Sequence, residues 1–164
     1  MKDLFEAIKH NSKWTIEKYA NDRDFRDGRP YAISEFFGNC LLNEGIDEME
    51  DLVCDTGTPT AYSNANAYLG VGDSNTAAVA TQTGLQAETN KAYEAMDATY
   101  PTTASQVMTF KSTFGSNDGN FSWKEFTVVN AANDTGKNMN RKVSDQGTKA
   151  SEQTWVLTLT ITLS

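Results

Sequence analysis

The 164 residues predict a mainly β protein with some α: an antiparallel β-sandwich or barrel-like sheet carrying an N-terminal helical segment. Three observations carry this. Residues 155–163 alternate without a break, with Trp155, Leu157, Leu159, Ile161 and Leu163 on one face and Val156, Thr158, Thr160 and Thr162 on the other. Gly, Asn, Thr, Ser and Ala are abundant, which suits strands joined by turns better than a helical bundle. Only one long stretch breaks the pattern: after Ser34, the residues Leu42, Ile46, Met49 and Val53 recur at helical spacing.

Taken in order, residues 3–10 suit one short helix with Leu4, Phe5 and Ile8 on a common face. Asn11 and Ser12 end it, and Trp14–Tyr19 alternates like a short strand. Asn21–Pro30, dense in charge and turn residues, reads as an exposed loop or extended arm. Ser34 is the expected N-cap of an acidic helix over 35–54. Glu44, Asp47, Glu48, Glu50 and Asp51 lie on its outer faces as solvated charge, and Gly45 weakens its middle. Asp55–Pro59 closes it. Beyond Pro59 strands and loops are expected, apart from one helical turn at Asn90–Met96. A strand at Ala67–Val71 leads into a long tract of small residues. A strand placing Met108, Phe110, Ser112 and Phe114 on one face, the loop Gly115–Asn120 and a strand Phe121–Asn130 read as a hairpin. Ala131–Lys137 is a turn and Ser144–Gln153 a polar loop before the closing strand. The expected organisation is an N-terminal arm or helix–strand segment over 1–34, followed by a single β-rich domain over 35–164.

The net charge of −8 argues against a nucleic-acid partner, which needs clustered Lys and Arg. The nearest approach to such a cluster is Lys137, Arg141 and Lys142. Acidity is uneven, with 13 acidic and 7 basic side chains in residues 1–55 against 9 and 7 in the remainder. Cys40 and Cys54, the only cysteines, fall in the expected helix. Fourteen residues of helix separate them by roughly 20 Å, beyond disulfide reach. Free core thiols are the expectation, in keeping with assembly in a reducing cytoplasm. Met1–Glu6 lacks the apolar run of a signal peptide. No segment approaches the run of about 20 apolar residues that spans a bilayer, so no membrane partner is expected.

Several segments invite a chemical reading. Gly70-Val71-Gly72-Asp73 after a strand suggests a phosphate loop, but neither a third glycine nor a Gly-Lys-Ser/Thr follows at the required spacing. A turn or extended surface loop is expected instead. Asn117–Asn120 and Asn133–Gly136 faintly suggest calcium loops, yet counting back from Gly119 puts Phe114 at the first ligand position, so hairpin turns explain them better. The single histidine, His10, excludes a multi-histidine metal cluster and leaves only a Cys40–His10 pair as a conceivable nucleophile and base. Trp14, Trp123 and Trp155 lie within strand patterns and are expected in the core rather than stacked on sugars. The sequence assigns no catalytic, cofactor-binding or metal-ligating residue, and a non-enzymatic protein is expected.

The order of segments resembles a family of small virion structural proteins of tailed bacteriophages. The matching pieces are Gly38-Asn-Cys-Leu-Leu-Asn-Glu-Gly-Ile46 and Asn64-Ala-Asn-Ala-Tyr-Leu-Gly-Val-Gly-Asp73 running on to Thr83-Gly-Leu85. They continue with Phe110–Phe114, Asn120-Phe-Ser-Trp-Lys-Glu-Phe126, Lys142-Val-Ser-Asp-Gln-Gly-Thr-Lys149 and the closing strand, so that most of 35–164 is covered. The resemblance implies a β-sheet protein without catalytic residues, present in many copies in the virion and assembled in the host cytoplasm. Within that family the expectation is a capsid decoration or cement protein that binds the major capsid protein, as a homo-oligomer with a trimer favoured. The alternatives are a tail, neck or baseplate component, or a virion-displayed receptor- or glycan-binding module. The last would gather exposed aromatics at 115–120 and 131–137.

Overall fold

The computed structural model describes residues 9–164. The helix expected over 3–10 lies outside them up to Ile8, and His10 already belongs to a strand. The chain begins with β1 (His10–Tyr19), a short exposed helix α1 (Asp22–Arg26), β2 (Ala32–Phe37), β3 (Cys40–Leu41) and α2 (Asn43–Cys54). It continues through β4 (Tyr68–Gly72), β5 (Lys91–Ala95), β6 (Thr102–Ala104) and β7 (Val107–Phe114). β8 (Glu125–Val129), β9 (Asn140–Val143) and β10 (Thr154–Leu163) complete it.

These strands form two five-stranded antiparallel sheets, ordered β2-β1-β10-β7-β6 and β3-β9-β8-β4-β5, which pack as a sandwich. The sequence alternation places the core between them. Trp155, Leu157, Leu159 and Ile161 of β10 are buried, as are Trp14 and Ile16 of β1, Phe110 and Phe114 of β7, and Phe126 and Val128 of β8. Aromatic rings meet across the gap: Phe114 and Trp123 stand edge to face at 4.7 Å, Trp123 and Trp155 at 4.9 Å, and Phe36 lies 4.9 Å from Phe126.

Position 34/35 falls within β2, and β1 lies inside its sheet between β2 and β10, with Trp14 and Ile16 in the core. Three expectations need correction. The acidic helix starts at Asn43, not after Ser34; Ser34 sits in β2 opposite Ile16, and Phe36 enters the core. The expected helical turn at 90–96 is strand β5, paired with β4. The expected hairpin of β7 and β8 is absent: β7 pairs with β10 and β6, and β8 with β4 and β9. The 115–120 loop therefore crosses from one sheet to the other, and Trp123 beyond it packs against both Phe114 of β7 and Phe126 of β8.

Candidate functional site

The long loop 73–90 and the outer face of the second sheet form the most elaborate polar arrangement in the molecule. Along β8, Phe126 and Val128 point to the core, which sends Glu125 and Thr127 to the opposite face. Glu125 is nevertheless fully buried, because the loop folds over it. Its carboxylate accepts hydrogen bonds from the backbone N–H groups of Gln86 at 2.9 Å and Ala87 at 2.7 Å, and from Arg141 Nε at 2.7 Å. Arg141, also fully buried, reaches Gln82 Oε1 at 3.1 Å. The ion pair thus clamps the loop to the sheet at three points.

Of the two glycines that suggested a phosphate loop, Gly72 makes room for the clamp and Gly70 for neighbouring strand side chains. A Cβ on Gly72 would lie 2.4 Å from Glu125 Oε1, and one on Gly70 would lie 2.8 Å from Tyr93 and Thr127. β4 is flanked by antiparallel strands and runs into an irregular loop, so no helix N-terminus faces an anion here. Gly70–Asp73 is architecture.

The acidic helix is docked by charges expected to be solvated. Glu44 Oε1 accepts from Asn138 N at 2.8 Å, and Glu48 Oε1 from Thr60 N at 2.6 Å and Asn130 Nδ2 at 2.8 Å. Gly45 does not weaken the middle of α2. It lies in the first turn, where a Cβ would stand 2.4 Å from the Met139 Cα. Burial and the nearby carboxylates of Glu48 and Glu44 push the Tyr62 phenol up from its ordinary value.

Both calcium-like segments are held by the protein itself. Asp134 receives Lys91 Nζ at 2.9 Å and the Tyr93 hydroxyl. Burial opposes ionisation of Asp134, but these donors outweigh it and hold its carboxyl below the usual range, while burial and Asp134 push Tyr93 up. At 115–120, Lys149 Nζ donates to Gly115 O and Asn120 Oδ1, each at 2.7 Å, and Trp123 Nε1 to Gly119 O at 2.8 Å. Enclosure of the Lys149 ammonium lowers its pKa to about 8, against the opposing pull of Asp118 and Asp22. Among the described residues, no three His, Cys, Asp or Glu side chains group as they would around a metal ion.

His10 Nε2 lies 2.9 Å from Asn39 Oδ1, and Cys40 Sγ donates to the Leu41 carbonyl at 3.5 Å, so each is engaged elsewhere than with the other. The cysteines are free but not core residues, since Cys40 is half-buried and Cys54 exposed. All three tryptophans are buried and unavailable to a sugar. Burial of Arg141 removes it from the basic trio with Lys137 and Lys142. Among the described residues, no helix is long and apolar enough to cross a membrane.

Exposed large apolar side chains gather instead at β2. Tyr31, Ile33 and Phe37 are 53%, 60% and 65% exposed, and Glu35 between the last two pairs with Lys13 at 2.6 Å. Among the described residues β2 pairs on one side only, so a free backbone edge adjoins this apolar row. Among the described residues the exposed aromatics are Phe25, Tyr31 and Phe37, none of them in the 115–120 or 131–137 loops. Sequence reasoning missed both this row and the Glu125–Arg141 clamp.

No protein-family model matches the chain, and neither does any curated protein or solved structure. The functional reading therefore rests on the residues.

Proposed function

We propose that this protein is a non-enzymatic structural component of a tailed-phage virion, a decoration protein that binds the major capsid protein on the assembled head and stabilises it. The observation that carries this reading is the β2 surface. A strand that, among the described residues, pairs on one side only and carries exposed Ile33 and Phe37 is what monomeric proteins normally avoid, and it suits pairing with another protein chain. Repetition over a lattice strengthens attachment far beyond that of one contact, so a small surface per copy suffices. The polar clusters at Glu125, Asp134 and Lys149 support the same reading, because each is occupied in holding a loop.

The test uses purified protein and expanded, genome-filled heads. Wild-type protein is expected to bind them and raise their resistance to heat or chelation. Ile33→Asp with Phe37→Asp should lose binding while changing unfolding stability by less than about 0.5 kcal/mol, as exposed sites do. Recovery of the protein only from isolated tails, at one or two dozen copies per virion rather than hundreds, would overturn the head assignment.

A further inference from the structure

A second apolar surface opens at the end of the sandwich where β1 begins and β10 finishes. It is a cleft of about 480 Å³ between the sheets and α2, lined by Ile46, Met49, Val53, Met108, Met139 and Leu163. Its floor is continuous with the core, since Ile161 lines it and belongs to the main hydrophobic cluster. Its helical wall is the very stripe whose spacing called for burial, yet among the described residues Val53 remains 85% exposed and Leu163 39%. A cleft that opens onto the core is a site to be filled by apolar side chains.

The chain itself leads into this cleft. Lys9 N donates to Ser164 O at 2.6 Å and Ser164 N to Lys9 O at 2.9 Å, and His10, opposite Leu163, lines the opening. Directly before them stand Leu4, Phe5 and Ile8, which share one face at helical spacing, with Asp3 and Glu6 off that face. Leu4 is six residues from His10, about 9 Å along a helix and about 20 Å fully extended, so every apolar residue of the segment is tethered close to the opening. We infer that residues 1–8 of the same chain fill this cleft, with Leu4, Phe5 and Ile8 completing the packing of α2 against the sandwich. The inference is independent of the virion reading, and it leaves β2 as the apolar surface free for a partner.

Cys54, exposed at the end of α2 and part of the cleft lining, provides the probe. In full-length protein carrying Cys40→Ser, single cysteines are introduced at Leu4, Phe5 and Ile8 in turn, and at Asp3 and Glu6 as controls. Mild oxidation at low protein concentration is followed by non-reducing electrophoresis and peptide mass mapping. The expected result is a disulfide to Cys54 within one chain from at least one apolar position, formed faster than from either control. Deletion of residues 2–8 should in addition raise binding of an apolar dye while the chain still unfolds cooperatively. Disulfides that join two chains would assign the cleft to a second copy and overturn the inference. So would equal cross-linking from Asp3 and Glu6, or none from any position.

Discussion

Glu125 and Arg141 bring opposite charges into a space that water does not reach, and their value lies in what happens when one is removed. Both side chains are fully inaccessible, Arg141 Nη2 has no partner among the described residues, and the carboxylate is shared with two loop amides. Replacing both by apolar residues of similar size would cost little, but truncating one strands the other's charge. Arg141→Met is therefore expected to lose about 3–5 kcal/mol in urea unfolding and to admit proteases to the 73–90 loop. Unchanged stability would mean that the pair contributes nothing to the clamp. Lys149 makes a different prediction because its shift has a sign. Its pKa is lowered from 10.5 to about 8 in the folded chain, chiefly by desolvation, so between those values the unfolded chain binds more protons. Stability attributable to Lys149 must then rise as pH climbs from about 8 towards 10.5. Lys18 shifts in the same direction, while Tyr19, raised to about 12 by burial and Glu17, works oppositely above pH 10. The difference between wild type and Lys149→Met isolates the lysine: the wild-type urea midpoint should gain on the variant's over pH 8–10, and parallel profiles would contradict the assignment.

At the scale of elements, α2 shows where intrinsic propensity loses to packing. Alanine is a better helix former than glycine by about 1 kcal/mol, yet a Cβ at Gly45 would meet the Met139 Cα at 2.4 Å and the Asn138 carbonyl at 2.6 Å. Backbone cannot step aside as a flexible side chain can. Gly45→Ala is expected to destabilise by about 1–3 kcal/mol, measured by urea unfolding, as the helix lifts from the sheet and strains the Glu44–Asn138 bond. A more stable variant would show that helix propensity prevails. The same element marks how far the sequence is legible. β10 was plain, because Trp155 to Ile161 alternate against Thr158 and Thr160 and the structure buries that face. The stripe of α2 was also plain, but its start was not: Ser34 suits a cap, and only the pairing of β2 with β1 makes it a strand residue. Nothing local marks Glu125 or Arg141 for burial, because the loop that covers them is distant in sequence. Their one signal was position, as Glu125 opens a run of buried residues and Arg141 follows Met139 and Asn140 in a hairpin. The glycines of β4 carry a real signal of close approach, and only the partners are hidden: the Glu125 carboxylate at Gly72, and Tyr93 and Thr127 at Gly70.

The whole molecule is organised around the meeting of its two ends. The first sheet places β1 from the start of the described chain against β10 from its finish, in register from His10 and Leu163 to Tyr19 and Thr154. Such distant pairing must close almost the full chain before it is rewarded, which favours slow folding. β10 is also the middle strand of that sheet, between β1 and β7, so its removal would split the sheet rather than trim an edge. Four of its side chains, Trp155, Leu157, Leu159 and Ile161, are at most 1% exposed. At about 1.5–3 kcal/mol each, their burial contributes roughly 6–12 kcal/mol, comparable to the entire stability of about 5–15 kcal/mol of an ordinary domain. A chain ending at Gln153 is therefore expected to lack a cooperative urea transition by circular dichroism, and β1 should lose its amide protection from exchange. Residues 2–8 precede the first described strand in sequence, so their deletion should preserve the transition and lower its midpoint. A cooperative transition in the chain ending at Gln153 would show that the second sheet and α2 fold without the first, and that the two sheets are separable units rather than one.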